Sequence, residues 1–461
     1  MPILIKNGKV IDPATGLEDV RDILISGDKI EKIALKIDEG DDSVNSGNSA
    51  VGSAESGRYH EELAVIDAKG CVVAPGFVDV HVHFRDPGFT DKEDIYTGAK
   101  SAAKGGYTSV VMMANTRPCI DNIDTLKYVL DKGKETDINI YACANVTMGM
   151  KGEELTDMEA LAKAGAVGFT DDGIPLVKEE VVLDAMKKSK ELDLPLSFHE
   201  EDPSVIENNG INRGKASEHF GIGGSPREAE IRMISRDIEL AKKTGACIDI
   251  QHISTKEGVE LVRKAKAAGV NIHAEATPHH FSLTEEAAIK YGTLAKMNPP
   301  LREEADRQAI VEGIADGTID MIATDHAPHT EEEKSREITK APSGIIGLET
   351  ALPLALMNLV NSDDPDMQVA VKPDTKADIK TDIKTVLAAL STNPAKLYKL
   401  DAGYIKEGGP ADIVIFDPCE TWELKKEDIA SKACNSPFIG EKLTGRVKYT
   451  ICKGKIAWRD E

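Results

Sequence analysis

Eight short β-prone runs separated by stretches with helix signals constrain this chain more than any other feature. They are Phe77–His83, Thr108–Ala114, Ile138–Val146, Ala166–Asp172, Leu196–His199, Cys247–Ser254, Val270–Ala276 and Met321–Asp325. Between them, Thr156 with Glu159 reads as a capping box for the run Leu155–Ala164, which Gly165 stops. Ser254 with Glu257 reads the same way, before a helix ending near Gly269. Eight strand–helix units predict an α/β chain folded as a (β/α)8 barrel rather than an open doubly wound sheet. Such a barrel can use most of the 461 residues as one unit, and an apolar content of 41% supplies a large core.

Both ends of the chain alternate like β-structure. Ile3-Leu4-Ile5, Asp22-Ile23-Leu24-Ile25 and Ile30-Glu31-Lys32-Ile33 predict strands, with turns at Asn7-Gly8 and Gly27-Asp28. Ala411–Phe416 and Val447–Ile451 resume the pattern, with a turn at Lys453-Gly454-Lys455. The expected organisation is a small β-rich domain built from residues 1–74 and 401–461, around a barrel of residues 75–400. Residues 38–62 are rich in Ser, Gly, Asn and Glu and predict a mobile surface loop.

Charge and cysteine usage narrow the class of partner. A formal charge of −23 argues against nucleic acid and anionic membranes, which need basic faces. It leaves a small anionic substrate open, because metal ions can make one pocket locally positive. The seven cysteines are scattered, with no CxxC pair, which fits a reducing cytoplasm better than a disulfide framework. No apolar stretch approaches the length of a membrane span, and the first residues lack the pattern of a secretory leader.

The polar residues cluster at the C-terminal ends of the predicted strands, where barrels of this kind place their chemistry. In order they are His81 and His83, Asn115, Asp172, His199, His252 and Asp325. Alternate residues of a strand share a face, so His81 and His83 converge while the intervening valines pack away. Imidazole nitrogen and carboxylate oxygen suit zinc. Six ligands exceed the needs of one tetrahedral ion and suit two ions sharing a carboxylate. His279 and His280 follow the seventh run and compete as ligands, though adjacent residues point apart. His60, His219 and His273 have no supporting context and are expected to be structural or on the surface.

Several segments then resemble the type I dihydroorotases of the amidohydrolase superfamily. They are Pro75–Gly88 (PGFVDVHVHFRDPG), Asn115-Thr116-Arg117-Pro118, Phe169-Thr170-Asp171-Asp172-Gly173 and His199-Glu200-Glu201-Asp202, followed by Gln251–Thr255 (QHIST), Met297–Arg302 (MNPPLR) and Ala323–His329 (ATDHAPH). The resemblance implies zinc-dependent, reversible cyclisation of N-carbamoyl-L-aspartate to L-dihydroorotate, the third step of de novo pyrimidine synthesis. It implies that His81, His83 and Asp325 hold one zinc and His199 with His252 the other, with Asp172 between them and Asp171 competing for that place. Asp325 becomes the proton carrier. Arg85, Asn115 and His329, beside His83, would grip the substrate carboxylate; Asn298 would contact the ring, and Ser343 and Gly344 sit where the family's backbone contacts to substrate lie. It also allows a homo-oligomer and an association with aspartate transcarbamoylase. The chain departs from the family at Ser343, where Phe is usual, at Ala114, where Pro is usual, and in the length of the 38–62 segment. The competing readings are a related cyclic amidase (dihydropyrimidinase, hydantoinase or allantoinase) and a catalytically silent scaffold. The former usually bridge their metals with a carboxylated lysine on the fourth strand, and this chain has Asp171-Asp172 there.

Overall fold

The computed structural model describes residues 1–38, 63–360 and 381–460. Five strands open the chain: β1 (Ile3–Asp12), β2 (Leu17–Ser26), β3 (Lys29–Ala34), β4 (Ala64–Asp67) and β5 (Val72–Pro75). Seven more follow in the barrel: β6 (Phe77–Val82), β7 (Tyr107–Met112), β8 (Asn139–Ala142), β9 (Leu196–Phe198), β10 (Ile248–Ile250), β11 (Ile272–Ala276) and β12 (Met321–Ile322). β13 (Ile413–Glu423), β14 (Lys442–Cys452) and β15 (Lys455–Arg459) close the chain.

The barrel is eight-fold, as the alternation requires, but its fourth stave is a single bridging residue. β6–β7–β8 and β9–β10–β11–β12 are parallel sheets. Phe169 joins them by parallel bridges to Ala144 and Leu196, and Val82 with His326 closes the ring. The run Ala166–Asp172 is therefore strand-like only at its centre. β6 shows why the strand ends carry the site. Val78 and Val80 pack with Val111, Met113 and Met321, while Val82 joins the large core under the helices. Burying each valine contributes about 1.5 kcal/mol or more, which fixes the register that points His81 inward.

Strands from both termini form the second unit, an eight-stranded sheet with the path β15–β14–β13–β5–β1–β2–β3 and β4 paired to β1. Its core is aliphatic: Ile3, Ile5, Val10, Ile23, Ile25 and Val73 meet Ile413, Ile415 and Ile451. The expected turn at Asn7-Gly8 is instead a bulge. β1 runs through it, with its register to β2 shifting between Ile5 and Gly8, and Asn7 takes φ +61°. Gly27 and Lys453-Gly454 are turns, as expected.

Both predicted caps are displaced by one residue. Asp157, not Thr156, accepts from Ala160 N–H to cap the helix Met158–Ala164, and Gly165 ends it with φ +112°. Thr255, not Ser254, caps Lys256–Ala267. Thr156 and Ser254 are taken by tertiary partners: Thr156 Oγ1 donates to Asn145 O, and Ser254 bonds Glu230. The predicted loop at 38–62 lies outside the described residues, apart from Asp38. All seven cysteines are free, and no described helix is long and apolar enough to cross a membrane.

Candidate metal centre and substrate pocket

Four histidines and two aspartates meet where the barrel strands end. His81 lies in β6 with His83 just beyond it, Asp172 follows the Phe169 bridge, and His199, His252 and Asp325 follow β9, β10 and β12. All six are buried. Asp325 Oδ1 is 2.9 Å from His83 Nε2 and 3.6 Å from His81 Nε2. His199 Nδ1 and His252 Nε2 are 3.0 Å apart. Asp172 sits between these groups. Its Oδ2 is 3.4 Å from His83 Nε2, and its Oδ1 is 3.5 Å from His81 Nε2, 3.7 Å from His199 Nδ1 and 3.8 Å from His252 Nε2.

The 3.4–3.8 Å separations around Asp172 and His81 Nε2 fit donors to a common ion better than hydrogen-bond partners, while the 2.9 and 3.0 Å contacts are of hydrogen-bond length. Two donor atoms that each lie about 2.0–2.2 Å from one tetrahedral ion are about 3.4 Å apart. His81/His83/Asp325 and His81/Asp172/His252 each form a compact set of donor atoms, within 4.8 Å of one another. His81 Nε2, at the shared corner, is buried without a hydrogen-bond partner, as befits an atom whose partner is an ion.

The electrostatics agree. Burial would neutralise a lone carboxyl, yet His81 and the other imidazoles outweigh it and hold Asp172 well below the usual carboxylate range. Asp325 is likewise lowered against burial, by His83 and His81. Burial opposes protonation of His199, but Asp172 and Glu201 push its pKa up to about 10. The two aspartates thus stay ionised in a dry site and draw positive charge to it, which a divalent cation supplies.

Asp171 turns away from the centre. It accepts from Asn145 Nδ2, from the N–H groups of Val146 and Thr147, and from the Thr147 hydroxyl, so it anchors the loop after β8. His280 is spent on Thr277 Oγ1 (2.7 Å) and Pro299 O (3.0 Å), and neither it nor His279 joins the donor groups. His273 pairs with Asp320 and His219 meets Phe220 edge-to-face; His60 lies outside the described residues.

A cavity of about 360 Å³ opens onto the centre, and its wall includes Arg85, Asn115, Asn298, His329, Ser343 and Gly344. Arg85 reaches it by a route that strand alternation does not describe: β6 ends at Val82, and Arg85 sits in the left-handed region at φ +59°. His252 (φ +33°) and Asp325 (φ +45°) are held likewise. Non-glycine residues in this region cost about 1 kcal/mol or more each and cluster where function requires them. Asn115 braces the ligands, its Oδ1 3.0 Å from His83 Nδ1 and its Nδ2 donating to Asp172 Oδ2. His329 Nε2 lies 2.8 Å from Ser343 O, and Ser343 Oγ donates to Asn298 Oδ1.

Comparison with known proteins decides the family. A protein of Clostridium acetobutylicum named dihydroorotase is 51% identical over 459 residues, covering 100% of both chains. One of the same name from Clostridioides difficile is 53% identical, covering 99% of each. Residues 70–258 match the family described as Dihydro-orotase-like. The chain belongs to the dihydroorotase family. Residues 354–457 match the broader Amidohydrolase family. Among solved structures, a D-hydantoinase superposes with a TM-score of 0.80 at 22% identity, covering 100% of this chain and 96% of that one. The L-hydantoinase (dihydropyrimidinase) of Arthrobacter aurescens superposes at 0.78 and 23%, covering 98% and 95%. These show the shared barrel-and-sheet fold.

Three features of this dihydroorotase-family site escape a reading of strand ends. Glu275 Oε2 is 2.9 Å from His81 Nδ1, and Glu201 Oε2 is 3.1 Å from His199 Nε2. Each carboxylate fixes which ring nitrogen faces the centre and makes it a stronger donor. Glu275 is in principle visible, as an acid in the apolar run of β11; Glu201 is two residues past a ligand. The third is Lys296, a buried lysine in the pocket wall.

Proposed function

We infer that the protein interconverts N-carbamoyl-L-aspartate and L-dihydroorotate, with two zinc ions at the centre. His81, His83 and Asp325 would hold one ion and His199 with His252 the other, with Asp172 available to both. When bound, the ions supply the Lewis acidity that activates water and the ring amide carbonyl. Arg85, Asn115 and His329 orient the substrate carboxylate, and Asn298 with the Ser343-Gly344 backbone orients the ring. In ring opening, Asp325 takes a proton from the attacking water and passes it to the leaving ring nitrogen; in closure it does the reverse. Carbamoyl aspartate carries two carboxylates and dihydroorotate one, so closure takes up a proton and low pH favours the ring.

One observation carries this reading. Arg85 shares a cavity with the ionised metal centre, yet makes no ion pair among the described residues. A half-buried guanidinium without a carboxylate is suited to take one from the substrate. Dihydrouracil offers none, which disfavours a dihydropyrimidinase. A silent scaffold is disfavoured by the presence of all six candidate ligands. One chain supplies every group invoked, so the reading requires neither a second copy nor aspartate transcarbamoylase. Seven free thiols favour a cytoplasmic location. The test is turnover of dihydroorotate, dihydrouracil and allantoin by the purified protein, with metal analysis of the same sample. Turnover of dihydroorotate alone, with about two zinc ions per chain, is expected; preference for a neutral ring overturns the assignment.

A further inference from the structure

Two buried lysines, one in the pocket wall and one outside it, meet at the same segment. Lys296 and Lys334 are each 5% exposed, and neither makes an ion pair among the described residues. Their ammonium groups spend themselves on one short segment. Lys296 Nζ donates to Ile338 O (2.8 Å) and Ala341 O (2.7 Å), and Lys334 Nζ to Pro342 O (3.0 Å) and Gly344 O (3.1 Å). Four carbonyls between residues 338 and 344 thus turn onto two cations. The same segment supplies Ala341, Pro342, Ser343 and Gly344 to the cavity wall.

The consequence lies in the peptide planes. In a trans peptide the C=O and the following N–H point in opposite directions. Pro342 O faces Lys334, so Ser343 N–H faces away from it; the N–H makes no hydrogen bond among the described residues, and Ser343 lines the cavity. Gly344 N–H, by contrast, is used by Lys296 O at 2.9 Å, and Ser343 O lies 2.8 Å from His329 Nε2. Ala341 N–H is bonded to Glu337 O, so among residues 341–344, which line the cavity, Ser343 carries the one N–H without a partner among the described residues. An ammonium buried without a counter-ion is costly, and burial with the neighbouring Lys296 lowers the pKa of Lys334 to about 7. A solvated lysine at the surface would avoid that cost. Glu333, the nearest acid in sequence, is already paired with Lys92 at 2.8 Å.

We propose that Lys334, assisted by Lys296, is a positioning residue for the substrate: by holding Pro342 O behind the wall it presents Ser343 N–H to an oxygen of the cyclic ureide. The proposal rests on the dihydroorotase reading and adds to it the residues that shape the backbone contact, acting through the peptide rather than by touching substrate.

The test compares wild type, Lys334→Met and Lys334→Arg by KM and kcat for dihydroorotate, with metal content measured on each. A cavity of about 330 Å³ on the far side of Lys334 gives the larger guanidinium room. Loss of one well-placed hydrogen bond predicts a rise in KM of about tenfold in Lys334→Met, with kcat and metal content nearly unchanged. Lys334→Arg should restore most of the KM. An unchanged KM in Lys334→Met, a fall in kcat and metal content with KM intact, or an arginine no better than methionine overturns the proposal. If Lys334→Met does not fold, Lys334→Leu, which also lacks a donor, replaces it, and a wild-type KM there overturns the proposal equally. A wild type without turnover overturns the functional reading and this inference with it. A wild type with turnover, whose KM survives the substitution, overturns this inference alone.

Discussion

Replacing Arg85 by methionine isolates the group that distinguishes a carboxylate-bearing ring from a neutral one. The guanidinium has little to do in the fold. Its Nε donates weakly to Pro328 O at 3.3 Å, and one terminal nitrogen lies 3.5 Å from His329 Nε2. The acids that might brace it are engaged elsewhere. Asp86 bonds Lys132 Nζ (2.6 Å) and Tyr128 OH (2.9 Å), while Glu93 bonds Ser431 and the N–H of Lys432. Methionine keeps the length of the stem and adds no branching at Cβ, so the strain at φ +59° is nearly unchanged. What is lost is a paired grip on the substrate carboxylate. Truncating one partner of such a charge pair costs about 2–5 kcal/mol, a fall of roughly 30- to 5,000-fold in kcat/KM. Because Arg85 is only half-buried, the lower part of that range is expected. Steady-state kinetics on dihydroorotate, and on dihydrouracil for whatever trace rate exists, read the effect directly. Loss confined to dihydroorotate is the expected result. Equal losses on both rings would show that Arg85 supports the fold or the metals, and the argument from the carboxylate would collapse.

Asp172→Asn should lower both metal content and rate, whereas Asp171→Asn should mainly lower the melting temperature, because Asp171 is spent on Asn145, Val146 and Thr147; metal analysis with thermal melts separates the two, and greater metal loss from Asp171→Asn would reverse their roles. Glu275→Gln should weaken metal retention about 10- to 100-fold through His81 Nδ1, read by competition with a chelator, with no change if Glu275 serves packing alone. For Lys334 the folded pKa is about 7, below that of the unfolded chain, so the folded state binds fewer protons between about pH 7 and 10.4. Stability from this residue is therefore gained as pH rises through that window and lost as pH falls back through 7, by about 5 kcal/mol at most. Subtracting the denaturant stability of Lys334→Met from that of wild type should show this slope; a flat difference would mean Lys334 is hydrated.

The barrel and the convergence of its strand-end histidines and aspartates are legible because two physical signals coincide. Strand periodicity sends Val78 and Val80 one way and His81 another, and a buried histidine or aspartate at a strand end has few uses other than chemistry. The fourth stave was harder. Only Phe169 pairs, yet the polar end Asp171-Asp172 still fell where the barrel needs it. Strand periodicity does not account for Arg85, since β6 ends at Val82 and Arg85 lines the pocket from a left-handed backbone. The caps slipped by one residue because Thr156-Asp157 and Ser254-Thr255 are adjacent capping types. Which of them caps depends on Asn145 and Glu230, far away in sequence. Lys296 and Lys334 left no trace at all. In a chain with 29% charged residues, a lysine beside Met297 or after three glutamates reads as solvated, and only the packed segment 338–344 shows otherwise.

The chain must bring an anion to its centre while carrying a charge of −23. At physiological ionic strength charges are screened beyond about 8 Å, so the distant acidic surface contributes little inside the pocket. What acts there is the local set: Arg85 and Lys296 in the wall, Lys334 against the segment that completes it, and the ions that Asp172 and Asp325 attract. None of the three side chains makes an ion pair among the described residues, which is unfavourable for the fold and favourable for a dianion such as carbamoyl aspartate. The same logic explains why His329 is neutral. Burial, with Arg85, Lys92 and Lys334 nearby, lowers its pKa to about 2, so its Nε2–H can donate to Ser343 O without adding a further charge to the wall. Positive charge is thus concentrated on Arg85, the two lysines and the ions, and it is withheld from His329, whose imidazole stays neutral while it ties that backbone down.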